Sequence, residues 1–138
     1  MAASKGKTWQ EKMNDGREPQ LERADKSFAG IKEGQMMLIP TPKLIEEYIR
    51  QVPEGTSVDS ATIRKDLAIK HGAEVTCPLT TGIFLRIVAE AAYEEFQQGK
   101  PVDKIAPFWR VIDEKSPTAK KLTFGINFLK EQRIKEGI

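Results

Sequence analysis

I-A-P-F-W-R-V-I-D, residues 105–113, lies in the last third of a 138-residue chain, after the polar loop G-K-P-V-D-K. Phe108, Trp109, Val111 and Ile112 favour extended backbone and Pro107 punctuates their start, so residues 108–112 read as a short strand. Most of the sequence before and after this stretch carries helical spacing. Where the strand sits in the order of elements therefore decides the fold.

Upstream, M-M-L-I-P-T-P runs into K-L-I-E-E-Y-I-R-Q-V. Thr41 is a good N-cap with Pro42 at the first helical position, and Leu44, Ile45, Tyr48, Ile49 and Val52 form one apolar stripe. Pro53-Glu54-Gly55 ends that helix. Asp59 or Ser60 starts a second, with Ile63 and Leu67 inward and Gly72 as its stop. A third, longer helix follows Pro78, capped by Thr80 or Thr81 and running to Gly99. Ile83, Phe84, Ile87, Val88, Ala91 and Ala92 give its buried face, with Arg86, Glu90 and Gln97 opposite. After the strand, S-P-T-A-K-K reads as a basic turn, and a last helix spans about residues 124–136.

Helix, helix, longer helix, strand, turn, helix is the order of a winged helix-turn-helix: mainly α with a small β element, over residues 36–138. The third helix is then the recognition element and the basic turn the wing. Residues 1–35 are polar and Gly-interrupted, and read as a partly ordered N-terminal arm. Thr8 caps a short helix there, and Trp9, Met13, Leu21 and Phe28 are its points of attachment.

Composition sets the limits on function. Hydrophobic residues make up 39% of the chain, enough for one modest core, and the net charge is only +2. The charge is unevenly spread: residues 100–138 hold 9 Lys/Arg against 5 Asp/Glu, whereas residues 41–99 hold 6 against 9. An anion partner belongs to the last third. One cysteine, Cys77, forms no internal disulfide and fits a reducing, cytoplasmic setting. With one histidine, His71, the chain lacks the ligands for a metal site, and no cofactor is implied. No membrane span is expected.

V-P-E-G at residues 52–55, P-F-W-R-V-I at 107–112 and L-T-F-G-I-N-F-L-K-E-Q-R-I-K-E-G at 122–137 stand in an order that resembles the C-terminal winged-helix domain of the alkylguanine-DNA alkyltransferases and alkyltransferase-like proteins. The resemblance covers roughly residues 40–138. It implies a DNA-binding fold, binding of alkylated or otherwise damaged duplexes, and a role in repair. Alkyltransferases carry P-C-H-R-V where this chain has Pro107, Phe108, Trp109, Arg110 and Val111. Their reaction needs a thiolate activated by histidine and, through water, glutamate. Phe108 and Trp109 replace the first two, and only Glu136 keeps the family's identity. Alkyl transfer by that mechanism is excluded, and the resemblance implies a non-catalytic protein. The family's intercalating arginine corresponds to Gly82 by one anchoring and to Arg86 by another, and its turn tyrosine is matched only by Ser60.

Thr80, Thr81, Arg86, Lys115, Lys120 and Lys121 are accordingly the candidate nucleic-acid contacts. Phe108, Trp109, Arg110 and Glu136 mark the former reactive site. Each has an ordinary reading too. Phe108 and Trp109 alternate as strand residues, one inward and one partly exposed, or line a former base pocket. Arg110 braces the backbone. Cys77 is a small buried hydrophobe or, near a helix start, a reactive thiol. Arg86 and Glu90 pair on a solvated face, and the three lysines keep a turn in water. Two function classes follow: a module for double-stranded DNA, or a protein-interaction or structural domain whose acidic third helix and arm meet a partner. A thiol enzyme built on Cys77 is a third.

Overall fold

The computed structural model describes residues 8–138. The chain is mainly helical, with a small three-stranded sheet. In order, the elements are α1 (Trp9–Met13), β1 (Gln20–Arg23), β2 (Met36–Ile39), α2 (Pro42–Arg50), α3 (Ser60–Lys70), β3 (Val75–Thr76), α4 (Pro78–Gln97), α5 (Pro117–Lys120) and α6 (Asn127–Glu136). Single 3-10 turns lie at Val102–Lys104 and Phe108–Arg110.

The helix starts follow local chemistry. The Thr41 hydroxyl accepts from the Leu44 amide at 3.1 Å with Pro42 in the first turn. The Asp59 carboxylate accepts from the Thr62 amide at 2.8 Å and settles the start of α3 in favour of Asp59. Thr8 and Glu11 form a reciprocal capping box on α1. α4 departs from expectation: it opens at Pro78 behind Cys77, and neither Thr80 nor Thr81 caps it. Proline at the first position has no N–H to satisfy, which lets the helix begin before the threonines.

Helix α4 is the axis of the core, with α1, α2, α3, α5 and the 108–110 turn all packed on it. Its Phe84, Leu85, Val88, Ala89, Ala91 and Ala92 meet Leu38, Ile45, Ile49, Ile63, Leu67, Phe108, Ile112 and Leu129 in one cluster. Burying that much apolar surface at about 25 cal/mol per Å² is what holds these short helices together. Ile83, expected inward, is exposed, and Glu90, expected in solvent, is buried.

In the sheet, β2 is central. It pairs antiparallel with β1, Leu21 opposite Leu38, and parallel with β3, Leu38 opposite Thr76. The arm thus contributes a strand that period-2 reading missed, because all four residues of β1 are exposed and do not alternate. Ala24, Ile31, Met37 and Cys77 make a second small cluster against Phe28. Of the four expected attachment points, Met13 is buried, Trp9 and Phe28 are half-buried, and Leu21 is exposed. Residues 1–7 of the arm lie outside the described residues.

The stretch from 105 to 113 is not a strand. Arg110 donates its amide to Pro107 O at 3.0 Å, and the Val111 and Ile112 amides both reach Phe108 O at 3.1 and 3.0 Å. A lone strand here would have left its N–H and C=O groups unpaired in the core. The 3-10 turn pairs several within the segment itself. The S-P-T-A-K-K turn is likewise helical, Ser116 capping α5 by accepting from the Ala119 amide at 3.2 Å. Gly125, at φ 78°, breaks the chain before α6, which starts at Asn127 rather than near residue 124. Among the described residues, the segment after α4 holds no strand, and the sheet forms instead from the arm, β2 and the lead-in to α4.

Candidate nucleic-acid interface

Two regions gather the residues that the sequence singles out, one closed and one open. The closed one is a clasp around Glu136. Its carboxylate accepts from the Trp109 indole N–H at 2.7 Å and the Gly55 amide at 2.9 Å. It also takes one edge of the Arg110 guanidinium in a bidentate pair, Nε donating to Oε1 at 2.9 Å and Nη2 to Oε2 at 2.9 Å. Arg110 Nη1 donates to Val52 O at 2.8 Å, and Arg133 Nη1 donates to Trp109 O at 2.7 Å. Gly55, at φ 83°, turns the α2–α3 loop so that its amide faces the carboxylate. Burial opposes ionisation of Glu136, but the donors from Arg110, Gly55 and Trp109 outweigh it and hold the carboxyl at about 2.

The clasp is structural in what it joins: the α2–α3 loop, the 108–110 turn and the end of α6. Arg110 therefore braces backbone, and binds Glu136 besides. Phe108 and Trp109 do not alternate in exposure, because the turn sends both inward; Phe108 is 0% and Trp109 3% exposed. Phe108 packs against Trp109, Phe124 and Phe128 with ring centroids 5.4–5.9 Å apart. Both rings are closed to solvent.

The open region is a groove of about 980 Å³ between the start of α3, the first half of α4 and residues 111–121, with α1 at one end. Its lining is largely apolar, from Leu79, Ile83, Val111 and Pro117, and four cations reach it: Lys12, Arg64, Arg86 and Lys121. Asp59 and Asp113 are its two carboxylates, and each already accepts from a backbone amide, of Thr62 and of Lys115.

The structure brings Arg86 and Lys121 of the six expected contacts into this groove. Lys115 and Lys120 are exposed but do not line it. Thr81 is buried and donates its hydroxyl to Cys77 O at 2.7 Å, the usual back-bond of a threonine in a first helical turn, and it does not line the groove. Thr80 is half-buried, its hydroxyl 3.5 Å from the same carbonyl. The Arg86 guanidinium lies over the Trp9 ring at 5.3 Å, and Lys12 over the same ring at 4.2 Å. Arg86 Nε is 3.7 Å from a Glu90 oxygen, an ion contact longer than a hydrogen bond. That pair is no solvated one: Glu90 is buried and accepts from the Thr123 amide at 2.7 Å and hydroxyl at 2.6 Å.

Lys12 and Arg64 escaped the sequence reading. Arg64 directly follows the core residue Ile63, and the start of α3 at Asp59 puts it one turn inside the helix, which is the signal that was there to use. Lys12 had none, since the docking of α1 onto α4 is not written in either segment. Cys77 is buried in the second cluster, and His71 closes the end of α3. Among the described residues no group of His, Cys, Asp or Glu is arranged to hold a metal ion, and no helix is long and apolar enough to cross a membrane. No family model matches the chain, and neither the curated proteins nor the solved structures yield a match.

Proposed function

We propose that this chain is a non-catalytic module for double-stranded DNA, related to the alkylguanine-DNA alkyltransferases and their alkyltransferase-like relatives. The observation that carries the reading is the groove: four cations at its walls, two amide-bound carboxylates, and the exposed side of α4 between them. In a helix-turn-helix reading, α3 and α4 are the paired helices, α4 enters a groove of the duplex, and residues 111–121 stand in for the wing. Lys121, Arg64, Arg86 and Lys12 hold phosphates, which fixes orientation without specifying sequence.

The former reactive site supports the absence of alkyl transfer. Where the family mechanism needs a thiol and an imidazole, this chain has two buried aromatic rings, and Glu136 is saturated by donors of its own. Neither ring can attack an alkyl carbon or act as a general base. Damaged or alkylated DNA is the ligand that the resemblance implies, and the cytoplasm is the setting that a lone cysteine fits.

A fluorescent duplex, with and without an O6-alkylated guanine, tests this by titration across salt. Binding that weakens linearly in log salt supports phosphate contacts. No binding to either duplex at low salt overturns the reading and leaves a protein-interaction or structural domain.

A further inference from the structure

Helix α4 is buried on most sides, yet its first half keeps one open stripe. Leu79, Ile83 and Arg86 follow at i, i+4 and i+7, with Gly82 beside them, and all four line the groove. Leu79 is 61% and Ile83 57% exposed, while the neighbouring Phe84, Leu85, Ile87 and Val88 are buried. Scattered exposed aliphatics need no explanation. This pair is different because it stands on one helix face among the four cations of the groove, with Asp59 and Asp113 in the lining and Glu90 3.7 Å from Arg86 against them. A polyanion with an apolar interior suits such a surface, and duplex nucleic acid has both: phosphates outside, stacked bases inside. A Cβ built on Gly82 would meet nothing within 4 Å, so bare backbone lies in open space beside the two aliphatics.

We infer that Leu79 and Ile83 form a wedge that enters a base step, so that the preferred ligands are duplexes whose stacking is locally weakened, as at a mismatch. The inference rests on the duplex-binding reading above. Aliphatic side chains inserted between base pairs must unstack them, and the cost is smallest where pairing is already defective. The tip offers no hydrogen-bond donor or acceptor to base edges, so it discriminates by deformability rather than by sequence or by an alkyl group. Phe108 and Trp109 are buried and do not line the groove, which leaves the aliphatic tip as the part of the site that can act on the stack.

The test compares three duplexes of one length: fully matched, carrying one mismatch, and carrying one O6-alkylated guanine. Anisotropy gives affinity, and 2-aminopurine next to the variable position reports unstacking. The mismatched duplex binds at least roughly tenfold tighter than the matched one, with a rise in 2-aminopurine emission on binding. Leu79→Ala combined with Ile83→Ala brings that affinity ratio close to one and abolishes the rise. Both side chains are exposed, and circular dichroism with a melting curve verifies the fold of the double and single variants. Equal affinity for matched and mismatched duplexes, a preference for the alkylated duplex alone, or a mismatch preference that survives both substitutions overturns the wedge while duplex binding stands. Binding to none of the three at low salt removes the duplex reading and the wedge with it.

Discussion

Trp109 donates its indole N–H to the Glu136 carboxylate at 2.7 Å, across 27 positions of sequence. The same carboxylate is held by Arg110 and by the Gly55 amide, so one side chain ties the last helix to the α2–α3 loop and to the 108–110 turn. In the alkyltransferase pattern that the sequence resembles, the residues aligned with Trp109 and Glu136 belong to a proton relay. Here an indole that cannot titrate faces a carboxylate that already has all its partners.

Acid should therefore loosen this corner in a definite window. The Glu136 carboxyl is held at about 2, below its ordinary 4.5. A depressed folded value means the unfolded chain takes up the proton first, so the stabilisation is complete above pH 4.5 and is lost as pH falls toward 2. Glu136→Gln should lower the melting temperature at neutral pH and flatten its fall across that window. Glu136→Ala should cost about 3 kcal/mol, because it leaves a largely buried Arg110 without its counter-charge. Urea melts at pH 7 and pH 3 measure both, and equal losses for Glu136→Gln at the two pH values would disprove the account.

Phe108 is fully buried among Trp109, Phe124 and Phe128. Phe108→Ala should destabilise the chain by about 3–5 kcal/mol, the range for a large aromatic removed from a core that relaxes only in part. Phe108→Cys, which restores the residue type of the alkyltransferases, should also destabilise and should gain no alkyl transfer, since Trp109 supplies no base. Chemical denaturation and transfer of label from an alkylated duplex read the two halves of this prediction.

Much of the fold was legible because its signals are local. Thr41-Pro42, Asp59 and the stripe from Leu44 to Val52 each depend on neighbours within a few positions, and each element formed as they indicate. What was not legible depends on partners far along the chain. Residues 108–112 have β-prone side chains, but among the described residues no strand pairs with them, and a 3-10 turn results. Gln20–Arg23 have weak β character, yet β2 offers its edge and they pair. The same division holds for the groove. Arg86 and Lys121 stand out as cations on expected elements, whereas Lys12 joins them only because α1 packs across α4.

Glu90 illustrates how a charged residue on a helix can mislead. Helical spacing from Arg86 suggests a solvent pair, but Glu90 points inward and caps the 122–126 loop through Thr123. Glu90→Ala removes the buried, charged acceptor of the Thr123 amide and hydroxyl and should cost about 2 kcal/mol. Glu90→Gln keeps an acceptor oxygen for that amide and should recover part of the loss. Hydrogen exchange at Thr123 checks the assignment directly: it should quicken in Glu90→Ala, and unchanged protection there would count against it.

Cations that line the groove and a cation beside it should respond differently to substitution. Arg64→Ala and Lys121→Ala each remove a cation from the groove wall, and each should weaken duplex binding while reducing the slope of log affinity against log salt by about one. Lys120 neighbours Lys121 in sequence but does not line the groove, so Lys120→Ala should change the slope by less. Net charge falls equally in the three variants, which separates a placed phosphate contact from a general loss of positive charge. Anisotropy titrations at several salt concentrations give the slopes, and three equal slopes would show that the groove does not set the contact.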